Sequence, residues 1–193
     1  MSLAPKIDMQ RPASPEENIV LIGPGGVGKS TLGARLARLS GRRLIDLDLE
    51  FCQRIAVIGP YISQHGYEAY RSANLVLAGE LLGAVELPTI FVTSSGFLAA
   101  PEETSDYQQA LALVRTGYGI TVLPSLDVEV ATIIVVERQL TRGLGMKRAD
   151  EVAKFRTRFA VYRDLGDMRV VSAGPPAEIA EAVIAALGLP IAQ

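Results

Sequence analysis

The chain has 193 residues, a formal net charge of −2 and 21% charged residues, the size and balance of one globular domain. Without a basic excess, bulk composition offers nothing that would draw nucleic acid or an anionic membrane surface. A single cysteine, Cys52, excludes an internal disulfide, and no apolar run reaches spanning length, so a cytoplasmic protein is expected.

Residues 1–17 carry proline, serine and charge without an apolar stretch. They read as a flexible lead-in rather than a secretory signal, ahead of one domain over 18–193. "NIVLI" from Asn18 is a continuous apolar run meeting "GPGG", the pattern of a buried strand. Residues 29–39 place Leu32, Leu36 and Leu39 on one helical face, with Gly41 positioned to end the helix. "RLIDL" is a second short strand. Residues 48–58 read as a helix stopped before Gly59-Pro60, and residues 67–82 as a longer one.

"TIFVT" is the third strand and leads into Ser94-Ser95-Gly96. A polar loop, a helix around 108–114 and the strand "ITVL" follow, with Pro124 ending that strand. Residues 127–142 are expected to be helical, capped by Asp127. The glycine-containing basic loop "RGLGMKR" leads to a helix over 147–162, the strand "MRVVS" and a last helix over 176–187 with proline in its first turn. Strands alternate with helices throughout. This predicts a three-layer α/β/α domain around a five-stranded parallel sheet.

"GPGGVGKS", residues 23–30, satisfies G-x-x-x-x-G-K-[ST] between a predicted strand and a predicted helix, the context that defines a P-loop. Gly23, Gly26 and Gly28 let backbone N–H groups turn around phosphate oxygens, and the helix N-terminus beyond, with Val27 and Thr31 flanking it, adds positive potential. Lys29 is suited to the β- and γ-phosphates and Ser30 to Mg²⁺. The expected ligands are therefore a nucleoside triphosphate and Mg²⁺. The loop does not say what receives the phosphoryl group.

Beyond the P-loop the chain resembles the shikimate kinases, from about residue 18 to 187. The likeness is carried by "IVLIGPGGVGKSTLGARLA", "IDLDLE", "GYEAYR" and "TRFAVYRDLGDMRV". The resemblance implies an ATP-dependent kinase of a small hydroxylated carboxylic acid, shikimate first, serving aromatic amino-acid biosynthesis and acting as a monomer. Its D-x-D matches Asp46-Leu47-Asp48. Asp46 would hold Mg²⁺ through water, and Asp48 would bind the acceptor hydroxyl and take its proton. Residues i and i+2 of an extended segment share a side, and the strand's carboxyl end borders the ligand crevice. Asp48 could equally cap the next helix without touching ligand.

In "GYEAYR", Arg71 stands where the family grips the acceptor carboxylate, and Arg158, four residues before Tyr162, stands in its R-x-x-x-Y. Two guanidinium groups on one carboxylate give directional, charge-assisted bonds, although most arginines are simply solvated. The basic loop, about 138–149, falls at the family's lid. Arg142 would close over the phosphates there, with Arg138 as a second candidate; a surface loop with helix-end charge is the alternative. Pro175, in "SAGPP", falls at the adenine side.

The chain departs from the family pattern in several places. Two of three glycines after the third strand are Ser94 and Ser95, leaving Gly96; a usual glutamate is Asn74; the usual adenine-side arginine is not evident within "ATIIVV"; and Gly143 replaces the lid proline, while Tyr70 stands in the aromatic position before Arg71. Ser95 and Gly96 are still expected to meet the acceptor. The departures keep two further readings open: a kinase for another hydroxy acid, and a ligand-sensing domain without efficient turnover. His65 and Cys52 have no partners in sequence that would suggest a metal site or a nucleophile.

Overall fold

The computed structural model describes residues 4–141 and 146–192. Its strands are β1 (Lys6–Met9), β2 (Ile19–Ile22), β3 (Arg43–Asp46), β4 (Thr89–Val92), β5 (Tyr118–Leu123) and β6 (Met168–Val171). Its helices are α1 (Lys29–Ser40), α2 (Leu47–Arg54), α3 (Ile58–His65), α4 (Tyr67–Gly83), α5 (Ser105–Val114), α6 (Val128–Leu140), α7 (Arg148–Tyr162) and α8 (Pro176–Leu187).

Strand alternation sorts the apolar residues into two cores. In β2, Ile19 and Leu21 face a core shared with α1, α6, α7 and α8. Val20 and Ile22 face a second core shared with α2, α4 and α5. β4 repeats the division, with Ile90 and Val92 on the first side and Phe91 on the second. A strand buried on both faces must be apolar at every position, which is why these runs are continuous rather than alternating. Gly33 brings α1 against the sheet: a Cβ there would lie 2.5 Å from Val92 Cγ2.

The sheet order is β1-β6-β5-β2-β4-β3, and β6, β5, β2, β4 and β3 are mutually parallel along their shared edges. The five expected strands are present. A sixth, β1, pairs antiparallel with β6, Ile7 opposite Val170. The fold therefore begins ahead of Asn18, inside the segment expected to be a lead-in. Short strands with a charged neighbour carry little periodic signal, and the pairing partner lies at the far end of the chain. An ionic cluster holds this segment down. Arg11 donates to Asp167 Oδ1 at 2.8 Å and to Glu17 Oε1 at 2.6 Å, and the Tyr118 hydroxyl donates to Arg11 O at 2.7 Å.

Helix boundaries follow local chemistry. Gly41 ends α1 with φ 68°, Asp127 caps α6 through bonds from Glu129 N and Val130 N, and Pro176 opens α8. Gly59-Pro60 does not stop a helix, as the sequence suggested. It sits in the first turn of α3, where a missing N–H costs nothing because that donor has no intrahelical partner. Cys52 is exposed. Among the described residues no helix is long and apolar enough to cross a membrane.

Because β4 inserts between β2 and β3, the turns leaving these three strands lie side by side at one sheet edge. Such an arrangement is the usual ligand crevice of an open parallel sheet. It gathers the P-loop, the Asp46–Asp48 corner and the Ser94–Gly96 turn.

Candidate active site

The P-loop runs from β2 into α1. Gly23, Gly26 and Gly28 have φ of 144°, 81° and 101°, backbone that side chains with a Cβ rarely adopt. Space is as restrictive as torsion: a Cβ on Gly23 would come 2.8 Å from Val122 O, and one on Gly26 2.8 Å from Val135 Cγ1. The loop and the start of α1 enclose a cavity of about 140 Å³ lined by Lys29, Ser30, Thr31, Asp48, Thr93 and Ser95 among others. Lys29 is buried, its ammonium donating to Gly23 O at 2.7 Å and Pro24 O at 3.1 Å. A glycine cradle at a helix N-terminus, with a lysine held at its mouth, fits a phosphate group. The Ser30 hydroxyl lines this cavity, and it and the Asp46 carboxylate at the end of β3 are hard oxygen ligands of the kind Mg²⁺ prefers.

Asp46 and Asp48 divide their work differently from the extended i, i+2 picture, because α2 starts at Leu47. Asp46 is the helix cap. Its Oδ1 accepts from Asp48 N at 3.1 Å and Leu49 N at 3.5 Å. The capping role considered for Asp48 thus falls to Asp46, and Asp48, in the first turn of α2, turns its carboxylate into the P-loop cavity. Its Oδ1 accepts from the Tyr70 hydroxyl at 3.2 Å. Burial pushes the Asp48 pKa up, and the Lys29 charge opposes that. Asp46 adds to the rise, while the Tyr70 hydrogen bond and Arg158 counter it.

The two arginines expected at an acceptor carboxylate are held by partners that sequence reasoning missed. Arg71, on α4, donates from Nε to Asp106 Oδ2 at 3.1 Å. Arg158, on α7, donates from Nη1 to Ser95 Oγ at 3.2 Å and from Nη2 to the Tyr67 hydroxyl at 2.9 Å. Arg71 borders a small cavity of about 10 Å³ with Tyr67, Tyr70, Asn74, Ser94 and Gly96. Arg158 borders a different one of about 80 Å³ with Ser95, Gln139 and Lys154. The arginines therefore do not share an open cavity here, because Tyr67 lines the first and holds Arg158 at the second. Tyr67 and Tyr70, with ring centroids 5.8 Å apart, form an i, i+3 aromatic pair on α4. That spacing was the available signal.

The serine-for-glycine turn is unstrained. Among the described residues no non-glycine residue has positive φ. Gly96 is needed for space: an added Cβ would fall 1.8 Å from the Tyr67 hydroxyl oxygen. Ser94 points inward, its Oγ donating to Asn74 Oδ1 at 3.2 Å, and Asn74 Nδ2 donates to the Tyr70 hydroxyl at 3.2 Å. Tyr162 anchors the same turn by accepting from Leu98 N at 3.0 Å.

On the nucleotide side a cavity of about 390 Å³ is bounded by Val27, Thr31, Arg138, Ser172, Gly174 and Pro176 among others. Pro175 is the cap of α8, and it is Pro176, not Pro175, that lines this cavity. Arg138 supplies a cation just after the apolar middle of α6. Gln139, unremarked in the sequence, packs over the P-loop: a Cβ on Gly25 would meet its Nε2 at 3.0 Å. Arg142 lies outside the described residues.

The parallel sheet, the phosphate cradle at its edge and the carboxylate facing that cradle define a P-loop kinase of small molecules. The family model for shikimate kinase matches residues 25–188. The chain belongs to the shikimate kinase family. It is 27% identical over 184 residues to shikimate kinase 2 of Enterobacter sp. (strain 638), covering 91% of this chain and 98% of that protein. It is 34% identical over 89 residues to the shikimate kinase of Acinetobacter baylyi (strain ATCC 33305 / BD413 / ADP1), a match that spans 46% of this chain and 48% of that protein. The fold is that of the shikimate kinase from Acinetobacter baumannii solved in complex with shikimate, with a TM-score of 0.68 at 22% identity over 87% of this chain and 90% of that one.

Proposed function

We propose that the chain transfers the γ-phosphoryl group of ATP to a hydroxyl of a small carboxylic acid, with shikimate as the first candidate. The observation that carries this reading is the single cavity onto which Lys29, Ser30 and Asp48 all open. Donor phosphates and an acceptor hydroxyl would meet there within reach of one cation and one carboxylate.

ATP with its Mg²⁺ supplies the electrophilic phosphorus and neutralises its oxygens when bound. Lys29 exchanges its two carbonyl partners for phosphate oxygens. The Ser30 hydroxyl and the Asp46 carboxylate provide the oxygen ligands, Asp46 through water. Asp48 accepts the hydrogen bond of the acceptor hydroxyl, orients it and receives its proton as the new ester bond forms. Arg71 and Arg158 bind the acceptor carboxylate, with Ser95 and Gly96 beside it, and Arg142 covers the phosphates. The protein works as a monomer in the cytoplasm.

A second acceptor is favoured by one feature, the cavity of about 10 Å³ beside Arg71. A cyclic acid enters that space only if Tyr67 moves, whereas a slimmer hydroxy acid needs less displacement. ADP release, coupled to an optical readout and measured against shikimate and a panel of hydroxylated acids, separates the readings. Turnover with shikimate is the expected result. Turnover with another acid alone replaces the acceptor, and binding without turnover of any acid means a sensing domain.

A further inference from the structure

Two departures from the family pattern, Asn74 and Ser94, and the tyrosine in its aromatic position are one structure. Tyr70, Asn74 and Ser94 lie on two elements, α4 and the turn after β4, and all three are buried. Ser94 Oγ meets Asn74 Oδ1 at 3.2 Å, Asn74 Nδ2 meets the Tyr70 hydroxyl at 3.2 Å, and that hydroxyl meets Asp48 Oδ1 at 3.2 Å. The direction of the chain is set by its last member. An ionised carboxylate only accepts, so Tyr70 donates to Asp48 and its oxygen accepts from the Asn74 amide N–H. The Asn74 carbonyl is then left to accept from Ser94. Every donor points the same way, toward Asp48, and aligned hydrogen bonds polarise one another.

We propose that Tyr70, Asn74 and Ser94 form a unidirectional hydrogen-bond relay that fixes the rotamer of Asp48, so that Oδ1 is held internally and Oδ2 is presented to the acceptor hydroxyl. The three are positioning residues. Ser94, the residue that looked like an obstruction in the acceptor pocket, is turned away from it and anchors the relay.

This inference rests on the kinase reading for its kinetic arm only. Steady-state kinetics of wild type, Tyr70→Phe, Ser94→Ala and the double variant are compared, with Tm as a control for folding. Tyr70→Phe is expected to lower kcat about tenfold and leave the ATP KM unchanged, as loss of a hydrogen bond to a charged group predicts. Ser94→Ala lowers kcat about threefold, and the double variant is no slower than Tyr70→Phe, because Ser94 acts through Tyr70. Multiplying losses, or an unchanged kcat in Tyr70→Phe, overturn the relay. Proton NMR gives a second readout that needs no turnover. The buried Tyr70 hydroxyl proton is expected as a slowly exchanging downfield resonance, absent in Tyr70→Phe and moved upfield in Ser94→Ala. A resonance unmoved by Ser94→Ala overturns the relay, whereas a wild type inactive on every acid but with the expected shift refutes the kinase reading and leaves the relay standing.

Discussion

The Tyr67 hydroxyl accepts a hydrogen bond from Arg158 Nη2 at 2.9 Å and rests where a Cβ on Gly96 would be. On the proposed function, an acceptor carboxylate competes with the Tyr67 hydroxyl for this cation. Tyr67→Phe should therefore lower the acceptor KM roughly fivefold, the worth of about 1 kcal/mol, with kcat little changed. Gly96→Ala should raise the KM, since the new methyl displaces the ring. Steady-state kinetics with the acceptor varied check both. An unchanged KM in Tyr67→Phe means that Arg158 is not restrained.

Asp48 carries a cost. Burial raises its pKa, so the folded chain holds a proton at a pH where the unfolded chain has released it. The ionised carboxylate thus destabilises the fold at neutral pH, and the penalty vanishes as pH falls below the ordinary carboxylate value. Asp48→Asn should raise Tm at neutral pH, with a gain that shrinks in acid, while turnover falls about 100-fold or more. The acid limb of kcat/KM in wild type should lie above the ordinary carboxylate range. A variant with near-normal turnover would falsify the role given to Asp48.

Lys29 closes the P-loop on itself through two carbonyls, at 2.7 and 3.1 Å. Lys29→Ala should abolish the rise in Tm that ATP and Mg²⁺ produce in wild type and reduce kcat about 100- to 1,000-fold, the scale of losing one preorganised donor. A preserved nucleotide-dependent shift in calorimetry or dye-based melting contradicts the assignment.

Arg71 donates through Nε to Asp106, which leaves its terminal fork for a ligand. Lysine offers no such planar fork. Arg71→Lys should raise the acceptor KM about tenfold without altering the ATP KM. Equal acceptor affinity in the two proteins removes Arg71 from the site.

The N-terminal segment is fastened by Arg11, which bridges Glu17 and Asp167. Arg11→Ala should cost about 1 kcal/mol, a modest figure because the side chain is 40% exposed. For a domain of this length that corresponds to roughly 2–4 °C in Tm. No change would mean that the Arg11 bridges add nothing to the stability of the fold.

The P-loop was readable from residue types alone, since only glycine satisfies its torsions and its crowding, and the lysine and serine follow at fixed offsets. The central strands β2, β4 and β5 were readable from their mostly apolar runs, because burial on both faces demands them; β3 and β6, each with an exposed or half-exposed arginine, were readable from a shorter apolar core. β1 was not, because four residues with a distant antiparallel partner leave no periodic trace. The division of labour between Asp46 and Asp48 was also hidden. It turns on whether α2 begins at Leu47 or one residue later, a boundary that spacing does not settle.

By itself the sequence determined the phosphate cradle, the alternation of strands and helices from β2 onward and the family of kinases to which the chain belongs. These depend on local conformation and on the period of apolar residues. Tertiary structure decided what the altered residues do. Ser94, Asn74 and Tyr70 come from two elements 20 or more residues apart, and only the packing of α4 against the turn after β4 brings their polar atoms into a chain that ends on Asp48. Hydrogen bonds need atoms about 3 Å apart in the right orientation, and no spacing along a sequence specifies that for residues on separate elements.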